Sequence, residues 1–271
     1  MSGLHLSLQV APTAAVDASA LGGNLLELSV AEVARLPLPT IGINHTICVG
    51  DCFAVAARDD GRGVIEGDLR RFHRLGSRWA AGELRVDGDV GEGFASQMQG
   101  GAVVLRGNAL AGAAEQLRGG RLQILGNVAE ELGRPLSGRR SGISGGRVIV
   151  TGNAGARAGY RMRRGLILIL GDCGDAAGCD LVAGTLVIGG TVGNDLGAGM
   201  RRGTLVVPQT ATLSSVRFSS PRQEQLGIAR LLAADIATDS PAIAAALRTN
   251  IGRAVGDLSA GGMGEVWVYG H

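Results

Sequence analysis

GRVIVTGNAGARAGYRMRR (146–164), GLILILGDCGDAAGCDLVA (165–183) and GTLVIGGTVGNDLGAGMRR (184–202) share one nineteen-residue pattern, and Gly203 opens the next copy. The period extends toward the N-terminus. Gly82, Gly101 and Gly120 are also 19 apart, and Gly120 to Gly146 is 26, one repeat plus a seven-residue insertion. Weaker copies open at Gly61 and Asn44. With each opener numbered zero, register six is glycine in eight copies from Gly50 to Gly190. Register seven is Asp or Asn in seven of those eight, Thr191 being the exception. A fixed period of this length decides the architecture before any local reading does.

Apolar side chains fall at registers two and four, as in Leu84/Val86, Val148/Val150 and Leu186/Ile188. That alternation predicts a short strand with one buried face. Register eight is small or apolar (Ala109, Val128, Cys173), and register sixteen is bulky (Met98, Leu117, Met162, Leu181, Met200). Ile143 joins that column only if the seven extra residues loop out before it. A unit this short cannot bury its apolar face alone and must stack on its neighbours. Gly and Asp/Asn at the corners suit positive φ or a side chain that bonds its own backbone. The expected fold is therefore all-β: a right-handed parallel β-helix, a solenoid of 19-residue coils over 44–208. An N-terminal strand and helix segment (1–43) precedes it, and C-terminal helices and a strand (209–271) follow, capping the coils or docking a partner. Coils at the inter-strand spacing would form a rod of about 40 Å. The glycine pattern excludes a helical solenoid.

With 45% hydrophobic and 18% charged residues, the 271-residue chain is expected to be ordered. The net charge of +2 favours no particular partner, and all 26 basic residues are Arg. Any anion recognition must then use guanidinium forks, which suit carboxylates. The start, MSGLHLSLQVAPT, lacks the basic leader and apolar core of a signal peptide, and no apolar run is long enough to span a membrane. The reading is a soluble, cytoplasmic protein whose four cysteines (Cys48, Cys52, Cys173, Cys179) are thiols.

Along the chain, residues 4 to 10 alternate as an edge strand would, and Ser29 to Glu32 fits a capping box opening a helix that ends near Arg35. The segment 70–81 is basic with Phe72 and Trp79, which reads as a solvated or partner-facing loop rather than a nucleic-acid interface. The insertion before Gly146 carries Arg134, Arg139 and Arg140, and insertions in repeat proteins map to one face, often the binding face. After Pro208 the period is lost. Ser220-Pro221 with Gln223 reads as a capping box opening a helix with Leu226, Ala229, Ala233 and Ile236 on one face. Ser240-Pro241 opens a second, to about Ile251, and 264–269 (GEVWVY) reads as a strand.

No catalytic constellation stands out. His5, His45, His73 and His271 are isolated, with no zinc-binding spacing. Cys48 and Cys173 fall on inward registers, where free Cys acts as a small hydrophobe. There is no nucleophile elbow or phosphate loop, so no metal or catalytic site is assigned to this chain. The strongest feature is the doublet Arg163-Arg164, recurring as Arg201-Arg202 two repeats later, about 10 Å along the sheet. With Arg161 and Arg118 it reads as a basic stripe, either a solubilising or intersubunit edge or a site for regularly spaced carboxylates.

At G-N-A-G-x3-G (Gly152 to Gly159), G-D-C-G-x3-G (Gly171 to Gly178) and G-T-V-G-x3-G (Gly190 to Gly197), with MRRG ends and GMGE at 262–265, the chain resembles the formylmethanofuran dehydrogenase C-subunit family. The β-helix of that family is similar to the carboxy-terminal domain of the glutamate synthase large subunit. Two settings are implied. One is a molybdenum or tungsten, iron–sulfur dehydrogenase. The other, favoured by the Arg-only, Ala-rich composition, is a bacterial formyltransferase/hydrolase complex. That complex moves a formyl group from tetrahydromethanopterin to a methanofuran analogue and hydrolyses it to formate. The resemblance implies a scaffold subunit beside a zinc amidohydrolase-like subunit, a formyltransferase subunit and a dehydrogenase-like subunit, with zinc and the methanofuran analogue in the complex. The coenzyme of such complexes carries a glutamate-rich tail, which makes that tail, or a partner subunit, a candidate ligand for Arg163, Arg164, Arg201 and Arg202. The remaining alternative is a stand-alone glutamate-synthase-like β-helix protein.

Overall fold

The computed structural model describes residues 3–270, so His271 lies outside the described residues. Thirteen strands form one sheet. In chain order they are β1 (Gly3–Leu8), β2 (Phe53–Arg58), β3 (Gly63–Glu66), β4 (Glu83–Asp87), β5 (Ala102–Arg106), β6 (Arg121–Ile124) and β7 (Ser144–Val150). They continue with β8 (Arg164–Ile169), β9 (Thr185–Ile188), β10 (Thr204–Pro208), β11 (Arg222–Glu224), β12 (Ile251–Gly256) and β13 (Gly264–Tyr269). The spatial order is β11-β12-β13-β10-β9-β8-β7-β6-β5-β4-β3-β1-β2. Pairing is parallel from β1 through β3 to β10 and on to β13, and antiparallel where β2 and β12 join.

Strand register follows the repeat. Leu122 lies beside Val103, and Leu186 beside both Ile167 and Leu205. Across the insertion Leu122 pairs with Val148. Ile143 takes its place in the bulky column, because the Ser144 N–H donates to the Leu117 carbonyl and the Arg163 N–H to the Ile143 carbonyl, both at 2.8 Å. The extra residues loop out ahead of it.

The expected all-β right-handed parallel β-helix is corrected by this structure. Each repeat supplies one strand to one open, mostly parallel thirteen-stranded sheet accompanied by a few helices, and the strands do not close into a solenoid. The physical reason lies in the return segments. Their backbone is left-handed at alternate positions, as at Ala95 and Gln97 or Ala114 and Gln116, which no strand accommodates. What remains there is a column of single bridges, Val90 to Ala109 to Val128 and onward to Val192. The core lies between the sheet and these returns, with the register-two and register-four residues facing Met98, Leu117, Met162 and Met200.

Turn chemistry meets the expectation in part. The openers hold positive φ (Gly165 +98°), as do register-six Gly67 and Gly88, whereas register-six Gly171 is needed because an added Cβ would sit 2.2 Å from Asn153 Oδ1. At register seven Asp68 accepts from the Arg70 N–H of its own turn at 3.3 Å, as expected, whereas from Asp89 onward the side chains bond the next repeat. The Asn127 N–H donates to Asn108 Oδ1, Asn153 to Asn127 and Asp172 to Asn153, each at 2.8 Å. Gly50 and Asp51, read as the first such pair, lie instead in a four-residue helix, α2 (Val49–Cys52). β1 is paired on both sides and is no edge strand. The helix predicted after Ser29 is present as α1 (Val30–Ala34), with Ser29 and Glu32 forming the capping box.

The other face of the sheet changes character along its length. Outward positions are charged in β4 (Glu83, Arg85, Asp87) and apolar from Ile149 through Leu168 and Val187 to Val206. Two helices cover the apolar half, α3 (Gly227–Ile236) and α4 (Pro241–Ala246), through Ala229, Ala233, Ile236, Ile243 and Leu247. Arg121 (2.6 Å) and Arg147 (2.8 Å) converge from the sheet on the Asp239 carboxylate, 5% exposed, and Arg147 also pairs with Asp235. The helix expected after Ser220-Pro221 starts later, because residues 222–224 form β11 against β12. α4 starts as expected, with Ser240 capping the Ile243 N–H, but stops at Ala246, since Ile251 opens β12. No helix among the described residues is long and apolar enough to cross a membrane.

Candidate functional site

The returns from β7 to β10 end in register seventeen, occupied in successive repeats by Arg163, Val182 and Arg201. Their backbone N–H groups are fixed to the preceding repeat: Arg163 to the Ile143 carbonyl and Arg201 to that of Leu181, both 2.8 Å, and Val182 to Met162 at 2.9 Å. Buried Met162 and Met200 beside them anchor the backbone while the guanidinium groups reach outward. These three residues line one depression of about 430 Å³ with Arg140, Ser141, Arg161 and Asp180. A second depression of about 420 Å³, also lined by Arg161, is roofed by the insertion through Arg134, Pro135 and Arg139, with Tyr160 on its wall.

The groove's charges differ in how firmly they are held. Arg134 Nε lies 3.0 Å from Glu115 and its Nη1 2.9 Å from Glu131. Burial works against the Arg134 charge, and Glu131 and Glu115 outweigh it, so its pKa lies above the ordinary value. Arg161 Nε lies 3.2 Å from Asp180, and Arg157 and Arg161 both stack on the Tyr160 ring, 4.3 and 4.9 Å from its centroid. Arg139, Arg140, Arg163 and Arg201 form no ion pair among the described residues. Six arginines against three carboxylates leave the groove cationic. Planar guanidinium groups free to turn toward a ligand bind carboxylates bidentately.

Of the four arginines singled out from the sequence, Arg163 and Arg201 share this depression. Arg164 and Arg202 are exposed next to it and do not line it, since Arg164 already begins β8 and neighbouring side chains along a strand diverge. Arg118 is engaged elsewhere, with Gln97 at 3.4 Å. Sequence reasoning missed Tyr160 and Glu115. Glu115 is buried, and a lone acidic residue on a return carries no signal. The insertion arginines could be flagged because the period breaks there.

Other flagged groups sit elsewhere. Phe72 and Trp79 of the basic segment are fully buried, so they belong to the core and not to a recognition loop. Cys173 is buried, which pushes its thiol up to about 12, while Cys48, read as inward, is exposed. Among the described residues no three or more His, Cys, Asp or Glu side chains gather as a metal-holding group. The free guanidinium groups suit an anion, and the lining carboxylates Glu115, Glu131 and Asp180 are each paired with an arginine.

No protein-family model matches the chain, and no curated protein does. A solved structure does: a chain of the formyltransferase/hydrolase complex (FhcABCD) from Methylorubrum extorquens, determined in complex with methylofuran. It is 30% identical over 98% of this chain and 100% of that one, with a TM-score of 0.89. With that identity sustained from end to end, the chain belongs to the family of this formyltransferase/hydrolase complex subunit.

Proposed function

We propose that this chain is the C subunit of a formyltransferase/hydrolase complex and serves there, in the cytoplasm, as a scaffold without an active site of its own. The observation that carries the reading is the end-to-end match to a chain of such a complex, 30% identical at a TM-score of 0.89. It favours this assembly over a molybdenum or tungsten dehydrogenase. In the proposed setting, partner subunits resembling a zinc amidohydrolase, a formyltransferase and a dehydrogenase carry the chemistry. They transfer a formyl group from formyl-tetrahydromethanopterin to a methanofuran analogue and hydrolyse it to formate. Zinc sits in a partner subunit.

The cationic groove gives the scaffold a second role, in which Arg163 and Arg201, with Arg164 and Arg202 at its rim, hold a carboxylate-rich coenzyme tail. Charge-assisted hydrogen bonds contribute about 1.5–3 kcal/mol each before exposure discounts them. Replacing all four arginines with Gln should therefore raise the KM for the coenzyme about tenfold or more. The kcat value and the set of partners in the purified complex should stay unchanged. Wild-type kinetics in an intact complex would remove the groove from the account.

A further inference from the structure

α3 has more apolar surface than its own fold uses. Ala229, Ala233 and Ile236 face the sheet and are buried, yet the opposite side presents Leu231 (66% exposed) flanked by Ile228 (58% exposed) and Ala234. α4, packed alongside, adds exposed Ala242 and Ala245. A helix that is apolar on nearly all sides is normally buried on nearly all sides. Contiguous exposed apolar patches of this kind mark interaction sites.

The charges around this face have one sign available. Arg222 on β11, Arg230 on α3 and Arg248 after α4 are exposed and enter no ion pair among the described residues. The nearby carboxylates are occupied: Asp235 and Asp239 by Arg147 and Arg121, Glu224 by Arg253 at 3.7 Å. An apolar centre with a rim of free guanidinium groups fits a protein surface with an apolar centre and an acidic rim. A second copy of this chain is the wrong occupant, because a twofold contact would bring the same unneutralised arginines together.

We propose that the outward face of α3 and α4 is the docking surface for a different subunit, which contributes an apolar patch bordered by Asp and Glu. This rests on reading the chain as part of a larger complex, and it names which face holds a partner.

The test uses the assembled complex, purified through a tag on this chain. Leu231→Glu places a carboxylate at the centre of the face, on a side chain already solvated, so the free chain should melt within about 2 °C of wild type. Copurification of one partner subunit should fall at least tenfold, and Ala234→Glu should act in the same direction. A photo-crosslinking residue at position 231 of the otherwise wild-type chain should join a partner-subunit peptide containing Asp or Glu. Full assembly with Leu231→Glu, or a crosslink to a second copy of this chain, overturns the proposal. If the wild-type chain brings down no partner subunit, the complex-membership reading fails first, so the two failures are told apart.

Discussion

Replacing Trp79 with alanine is expected to cost about 3–5 kcal/mol of stability, the range for truncating a large aromatic in a packed core. The side chain is fully buried, and its indole N–H donates to the Gly82 carbonyl at 3.3 Å. Its own carbonyl accepts the backbone N–H groups of Gln99 (2.8 Å) and Gly100 (3.2 Å), so the ring stands where one repeat is tied to the next. Truncation opens a void under β3 and β4, while the Gly82 carbonyl keeps the Ala102 N–H at 2.9 Å, so the loss is mainly one of packing. Urea unfolding of the purified chain should show the loss as a lower midpoint. A change below about 1 kcal/mol would mean that the ring is not the packed core residue described, and the loop reading of 70–81 would return.

A similarly large effect is expected from Gly107→Ala. A Cβ there would lie 2.3 Å from the Gly88 carbonyl oxygen and 2.5 Å from its carbon, both backbone atoms of the adjoining repeat. Backbone cannot swing aside as a side-chain tip can, so the repeats must separate locally. Overpacking of this kind costs about 3 kcal/mol, and a break in the ladder to Asn108 would add to it. Gly227→Ala provides the control. Nothing lies within 4 Å of its would-be Cβ, and alanine at a helix position is expected to be neutral or stabilising by up to about 1 kcal/mol. Equal melting temperatures for the two variants would contradict the close stacking of the repeats.

Much of this architecture was legible from period and alternation alone. The strands, their 19-residue register, the inward pairs such as Ile167 and Ile169, and the outlooping of the insertion before Ile143 all follow from apolar spacing, which burial enforces. The path between strands was not legible. Ala95, Gln97 and Arg157 adopt left-handed backbone although none of these residue types announces it, because stacking against the neighbouring repeats overrides the local preference. The expectation of a closed coil failed at those residues. The covering helices left a trace that period-two reading overlooked. Residues 166–170 (LILIL) are apolar at every position, the mark of a strand buried on both faces, whereas β4 alternates with charge.

For the groove, sequence pointed to Arg163 and Arg201 through their repeat and to the insertion arginines through the break in period. Their convergence with Arg161 and Tyr160 depends on how the insertion folds back over the returns. A linear pattern does not encode that.

Native mass spectrometry of the assembly that copurifies with a tagged version of this chain from its own host tests complex membership most directly. The expected result is a large assembly containing a zinc amidohydrolase-like subunit and a formyltransferase, losing its integrity when this chain is omitted. A lone monomer or homo-oligomer, or partners carrying molybdopterin and iron–sulfur clusters, would contradict it.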